Sequence, residues 1–139
     1  MLSKLLLTRL NNYYFLILLE LLKFYHNPRC RKSREALEFL NNKKIDCQIY
    51  YYLKNHLTSN ELKSILKKIN LNPSDIVRKN EKDWKAIPNR NDLTENEILG
   101  ILILNPKLIE RPIITNEKEG VLARPLDNLF QFLDRNYSY

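Results

Sequence analysis

The stretch YHNPRCRKSR, Tyr25 to Arg34, sets one cysteine two residues after a proline and three residues before a serine. Four basic side chains surround it: Arg29, Arg31, Lys32 and Arg34. The thiolate, not the thiol, is the nucleophile, and a cationic neighbourhood favours S⁻ over SH. An anion that a thiolate attacks would be drawn to the same charges. On these residues alone two readings stand. Cys30 is a small buried hydrophobe, as most lone cysteines are, or it is an activated nucleophile. The electropositive context is what raises the second reading to equal standing with the first.

The flanking elements say where that cysteine must lie. LLKFY, Leu21 to Tyr25, reads as a short buried strand that Asn27-Pro28 ends. From Ser33 the period becomes helical, with Ala36, Leu37 and Leu40 on one face. Cys30 therefore falls in a strand-to-helix turn, where the free amides of the helix end and its positive dipole favour an anion. The hydroxyl of Ser33 is placed to donate to the sulfur from the next turn. CQIYYYL, Cys47 to Leu53, reads as a second strand with Cys47, Ile49, Tyr51 and Leu53 on one apolar face.

Thr58 with Glu61, and Thr94 with Glu97, match the capping box and open two further helices. Between them Asn72-Pro73 starts a short helix running towards Arg78. Trp84 reads as a packing anchor. RPIIT, the turn NEKEG and VLA form a hairpin, and Pro125 opens a last helix with Leu126, Leu129, Phe130 and Leu133 inward. The order is βαβ, a helical insertion, then ββα. That predicts an α/β protein with a small mixed β-sheet, similar to the thioredoxin-like arrangement.

The 139 residues suit one domain, 21–139, preceded by an extension, 1–20, of unknown role. The apolar run Tyr13 to Leu22 is broken by Glu20 and is shorter than the roughly 20 residues a membrane span needs. Lys4 and Arg9 precede it as in a signal peptide, but no small-residue cleavage site follows. The extension is read as an extra N-terminal helix packed on the domain, or as residues upstream of the natural start. A net charge of +7 suits an anionic partner. Nucleic acid is the weakest choice, because the charge is spread along the chain with no helix-turn-helix or zinc signature. Cys30 and Cys47 make no C-x-x-C and no metal site, and a reducing cytoplasm is the default compartment.

YHNPRCRKSR closely resembles the active-site loop of the glutaredoxin-linked arsenate reductase family, an Asn-Pro-x-Cys-x-x-Ser-Arg run. Three more places resemble that family in order: DIVRKNE with Arg78, NPKLIERPII with Arg111-Pro112, and VLARP with Arg124-Pro125. The resemblance extends from about Leu21 to Leu133. It implies Cys30 as nucleophile, with Arg78, Arg111 and Arg124 converging to bind an oxyanion through their forked donors. It implies arsenate as substrate, glutathione as co-substrate with no bound cofactor, glutaredoxin as partner, and a monomer. Thioredoxin-like folds set a cis-proline beside the active thiol, so Pro112 is expected to be cis.

His26 either tunes the thiolate or orders the turn, Asn27 holds the loop shape, and Ser33 stabilises the sulfur. Cys47 is expected to be a buried strand thiol without redox work, His56 a loop residue, and Tyr50 to Tyr52 strand packing. Arg31 and Lys32 are more charged than the residues relatives often carry between the cysteine and the serine. Two alternatives share the fold. One is the Spx-type regulator that binds RNA polymerase, whose Cys-x-x-Cys switch cannot form in Cys30-x-x-Ser33. The other is a thiol oxidoreductase that does not act on arsenate.

Overall fold

The computed structural model describes residues 3–137, so residues 1–2 of the expected extension 1–20 and residues 138–139 of the expected domain 21–139 lie outside the described residues. Helix α1 (Lys4–Glu20) precedes strand β1 (Leu22–Tyr25), helix α2 (Arg31–Asn42) and strand β2 (Cys47–Tyr50). The insertion holds α3 (Ser59–Ile69), α4 (Lys82–Lys85) and α5 (Glu95–Leu104), with 3₁₀ turns at Pro73–Ile76, Arg90–Asp92 and Pro106–Leu108. Strands β3 (Ile113–Thr115) and β4 (Gly120–Leu122) and helix α6 (Asp127–Asn136) complete the order. The short helix expected after Asn72-Pro73 is thus a 3₁₀ turn.

Four strands form one mixed sheet in the order β2-β1-β3-β4. The β1 and β2 strands are parallel, with Leu22 opposite Cys47, while β3 runs antiparallel to both β1 and β4. Alternation along the strands divides the core in two. Leu22, Phe24 and Ile114 join Ala36 and Leu40 of α2 and Leu129, Phe132 and Leu133 of α6. Ile113 joins Leu62 and Leu66 of α3, Ile98 and Leu102 of α5, and Trp84. Trp84 is buried there, as an anchor should be. Phe130 is only half-buried and stacks on Phe39 at a centroid distance of 4.6 Å, so Phe132 takes the inward place expected for it.

Both capping boxes form: Thr58 and Thr94 accept the amides of Glu61 and Glu97 at 3.2 Å, and each glutamate returns to its threonine amide at 2.7 Å. The α1 helix matches the expected extra helix, and residues 3–13 are all exposed. Strand β2 ends three residues earlier than expected. The amides of Lys54 and Asn55 turn back to the Tyr51 carbonyl at 3.0 and 2.9 Å. That turn leaves Tyr51 exposed and buries Tyr52; of the face read from the alternation, Cys47 and Leu53 pack against the core while Ile49 and Tyr51 do not.

A second pairing lies outside the sheet. Val77 bridges Ile109, the Arg78 amide donates to the Leu108 carbonyl at 2.8 Å, and the Glu110 amide donates to the Ile76 carbonyl at 2.7 Å. This seam fastens the end of the insertion to the entry of β3 and sets Arg78 near Arg111.

The two glycines have opposite surroundings. Gly120 lies where a Cβ would come within 2.7 Å of Thr115 Cγ2 and 2.8 Å of the Ile114 carbonyl oxygen, whereas Gly100, within α5, has nothing within 4 Å. Gly120→Ala should therefore destabilise by roughly 1–3 kcal/mol through overpacking. Gly100→Ala should stabilise by about 0.5–1 kcal/mol by restricting the unfolded chain. Urea denaturation of both variants measures the two signs.

Candidate active site

Cys30 is the residue before α2, with extended backbone angles (φ −88°, ψ 121°). Its amide donates to the Asn27 carbonyl at 3.0 Å, and its carbonyl accepts from the Arg34 amide at 3.0 Å, which starts the helix. The larger sulfur makes no capping bond like those of Thr58 and Thr94. It lies instead in the field of the Ser33 and Lys32 amides and of the Arg111 guanidinium. Burial pushes the thiol up, but the Ser33 amide, Arg111 and the Lys32 amide outweigh it, so the thiol lies below its ordinary value.

The loop is held by a buried hydroxyl. Ser33 is fully buried; its Oγ lies 2.7 Å from His26 Nδ1 and accepts the Asn27 amide at 3.1 Å. The hydroxyl thus secures the loop, and what Ser33 offers the sulfur is its amide. Asn27 Oδ1 accepts the Arg29 amide at 3.0 Å, which agrees with a loop-shaping role. His26 is held below the usual imidazole range by burial first and by Arg34 second. It is therefore neutral near neutrality and lends the sulfur no positive charge. Its geometry favours ordering the turn over tuning the thiolate.

Among the cations, Arg111 acts on the sulfur most strongly, not the basic residues next to Cys30 in sequence. Arg31 and Lys32 turn outward to Glu35 at 2.8 and 3.5 Å, and Arg34 donates to the Pro28 carbonyl at 2.9 Å. Arg111 Nη1 donates to the Lys107 carbonyl at 2.9 Å, while its buried Nε has no hydrogen-bond partner. Arg124 Nη1 donates to the Arg111 carbonyl at 3.3 Å and lies 3.6 Å from Glu110 Oε2. Arg78 forks onto Glu81 Oε1 at 3.0 and 2.7 Å. Arg124 thus touches the Arg111 backbone, and Arg78 and Arg111 both act on Tyr52, but of the three only Arg111 is among the groups acting on Cys30.

Two members of this cluster were not singled out by the sequence pattern. Tyr52 is 2% exposed, and its buried hydroxyl makes no hydrogen bond of good geometry. Burial pushes its pKa up to about 12, and the charges that also act on it belong to Arg111, Cys30 and Arg78. It is a protonated phenol set among the site's groups. The one available signal was chemical: a buried tyrosine hydroxyl usually finds a partner, so an apolar strand reading left it unassigned. Glu110 sits beside Arg111 and balances Arg124.

The Arg111-Pro112 bond is cis, as expected, and so is Arg124-Pro125, which was not expected. Cys47 packs against the α2 and α6 cluster, and its thiol is pushed up by burial and by Asp46. Both cysteines are free.

Comparison with known proteins places this arrangement. A family model described as the ArsC family matches residues 25–132. The chain belongs to the ArsC family. An arsenate reductase of Haemophilus influenzae is 36% identical over 111 residues, covering 78% of this chain and 96% of that protein. An arsenate reductase of Neisseria meningitidis serogroup A is 33% identical, covering 78% of this chain and 94% of that one. The solved structure of an arsenate reductase from Vibrio cholerae superposes with a TM-score of 0.74 at 33% identity, covering 79% of this chain and 95% of that chain. The ArsC match begins at Tyr25 and so includes the whole Cys30 loop, all three arginines and Tyr52, while α1 lies outside it. The thioredoxin-like fold expected from the element order is the fold of this family.

In this ArsC chain the two thiols should separate by pH. Cys30 should react with iodoacetamide at a lower pH than Cys47, with its midpoint below the value of about 8.5 usual for a free cysteine. Arg111→Ala should move the Cys30 midpoint upward. Mass spectrometry of each alkylated peptide across pH reads both, and coincident profiles for the two cysteines would contradict the assignment.

Proposed function

We propose that this chain is an arsenate reductase in which Cys30 is the nucleophile. The observation that carries the reading is the Cys30 sulfur facing the first amides of α2 and the Arg111 guanidinium, inside a chain of the ArsC family. Arsenate is a tetrahedral oxyanion, mostly doubly charged near neutral pH. Arg78, Arg111 and Arg124 supply forked donors to such oxygens, and the amide-lined turn accepts negative charge at the attacking centre.

The chemistry runs in three stages. The Cys30 thiolate attacks arsenic(V) and an oxygen leaves as water, giving a sulfur–arsenic bond. A thiolate from glutathione then attacks the Cys30 sulfur. The new sulfur–sulfur bond forms as the sulfur–arsenic bond breaks, and its electron pair stays on arsenic. Arsenic is thereby reduced to arsenic(III) and leaves as arsenite after taking protons from water; Cys30 and glutathione together are oxidised to a mixed disulfide. Glutaredoxin takes the glutathionyl sulfur and returns Cys30 to the thiolate. This use of glutathione suits the reducing cytoplasm, and each step engages one copy of the chain. Among the described residues no helix is long and apolar enough to cross a membrane.

Purified protein mixed with arsenate, glutathione, glutaredoxin, glutathione reductase and NADPH should consume NADPH in proportion to arsenate. Cys30→Ser should abolish the rate and Cys47→Ser should retain it; full activity in Cys30→Ser would sink the assigned nucleophile. Arg111→Ala and Arg124→Ala should each raise the KM for arsenate by tenfold or more, on the order of 1.4 kcal/mol. Unchanged kinetics in both would remove the arginine cradle.

A further inference from the structure

The reduction needs a second thiol, and the chain does not supply it. Cys47 packs with the α2 and α6 cluster, and Ser33, fully buried, stands three residues after Cys30 where a resolving cysteine would be. The second sulfur must arrive from solvent and be aimed at Cys30 while the rest of its molecule is held elsewhere.

A groove of about 610 Å³ adjoins the nucleophile's loop. Part of its lining is Asn27-Pro28-Arg29, the three residues leading into Cys30, and another part is Leu104 to Lys107. One guanidinium links the 104–107 segment to the nucleophile: Arg111 donates to the Lys107 carbonyl at 2.9 Å and acts on the sulfur of Cys30, the residue after Arg29. The groove's position is therefore tied to the reacting atom, although its space is separate from the arginine cluster.

Its lining combines cationic and apolar side chains. Arg29, Lys54 and Lys107 border it, and among the described residues no Asp or Glu lines it and none of these three side chains makes an ion pair. Tyr51, Leu104 and Pro106 supply apolar surface, and Leu104 is 85% exposed at the end of α5. His26 also lines it, with Nδ1 already committed to Ser33. Three cations outside any ion pair, together with apolar lining, complement a small ligand that carries carboxylates on a short carbon frame.

We propose that this groove is the binding site of the anionic peptide thiol, glutathione, with Lys54 and Lys107 holding its carboxylates and its sulfur directed along the Asn27 to Arg29 wall to Cys30. The proposal rests on the arsenate reading for the role of that thiol. The site itself can be tested without turnover.

The probe is S-methylglutathione, which binds but cannot react, titrated into the isotope-labelled full chain and followed by amide shifts. Saturable shifts should concentrate at residues 26–29, 51–56 and 104–107. The double variant Lys54→Glu/Lys107→Glu, with both side chains exposed, should fold normally and bind about tenfold or more weakly, and added salt should weaken the wild type alone. In the arsenate assay the same variant should raise the KM for glutathione, leave the KM for arsenate unchanged, and match the wild type with uncharged 2-mercaptoethanol as reductant. Shifts elsewhere, or equal affinity in wild type and variant, overturn the groove assignment. A chain that binds the probe in the groove but reduces no arsenate keeps the site and discards the arsenate reading. A chain that reduces arsenate with an unchanged glutathione KM in the variant discards the groove alone.

Discussion

A single buried hydroxyl holds the reactive loop in place. Ser33 Oγ meets the His26 ring and the Asn27 amide with no access to solvent, and so joins both sides of the turn that carries Cys30. A buried polar group without partners is costly, so these contacts are mutually required. They leave the amides of Lys32 and Ser33 facing the sulfur, which is the arrangement an ionised thiol needs. The neutral state of His26 belongs to the same design. Protonating it costs extra in the folded state, so its contribution to stability is present above an imidazole's ordinary value of about 6.5 and is lost as pH falls through the lowered folded value.

The positive field at the sulfur comes from a distance in the chain. Arg111 approaches Cys30 because β3 pairs antiparallel with β1, and Arg78 joins it because residues 76–78 are bridged to 108–110. Arg124 follows at the end of β4, tied to the Arg111 carbonyl. Each guanidinium rests against a carbonyl or a glutamate, which stabilises its charge. Tyr52 stands among them with a buried hydroxyl that, like Arg111 Nε and Glu110 Oε2, has no hydrogen-bond partner, so the unsatisfied buried polar atoms of the described residues gather at this site.

Local chemistry made much of the scaffold readable. The capping threonines, the Asn-Pro punctuation and the turn before Gly120 act within a few residues, so their signals survive in the one-dimensional pattern. The second strand did not follow its pattern. Ile49 and Tyr51 alternate with Cys47 as a buried face should, yet β2 is an edge strand and a turn at Tyr51 to Lys54 ends it early. Alternation cannot show which face the sheet will cover, nor where a strand is cut, because both depend on the elements packed against it.

Sequence alone marked Cys30 as a candidate nucleophile and determined the strand-to-helix turn that carries it and the βαβ–insertion–ββα order, since each depends on neighbours close along the chain. Through resemblance it also pointed to the three arginines and the cis bond at Pro112. Only the tertiary structure decided which charge acts on the sulfur. Arg31 and Lys32 lie beside Cys30 in sequence but turn outward to Glu35, while Arg111 is brought in by strand pairing. Electrostatic energy depends on distance and burial, not on separation along the chain.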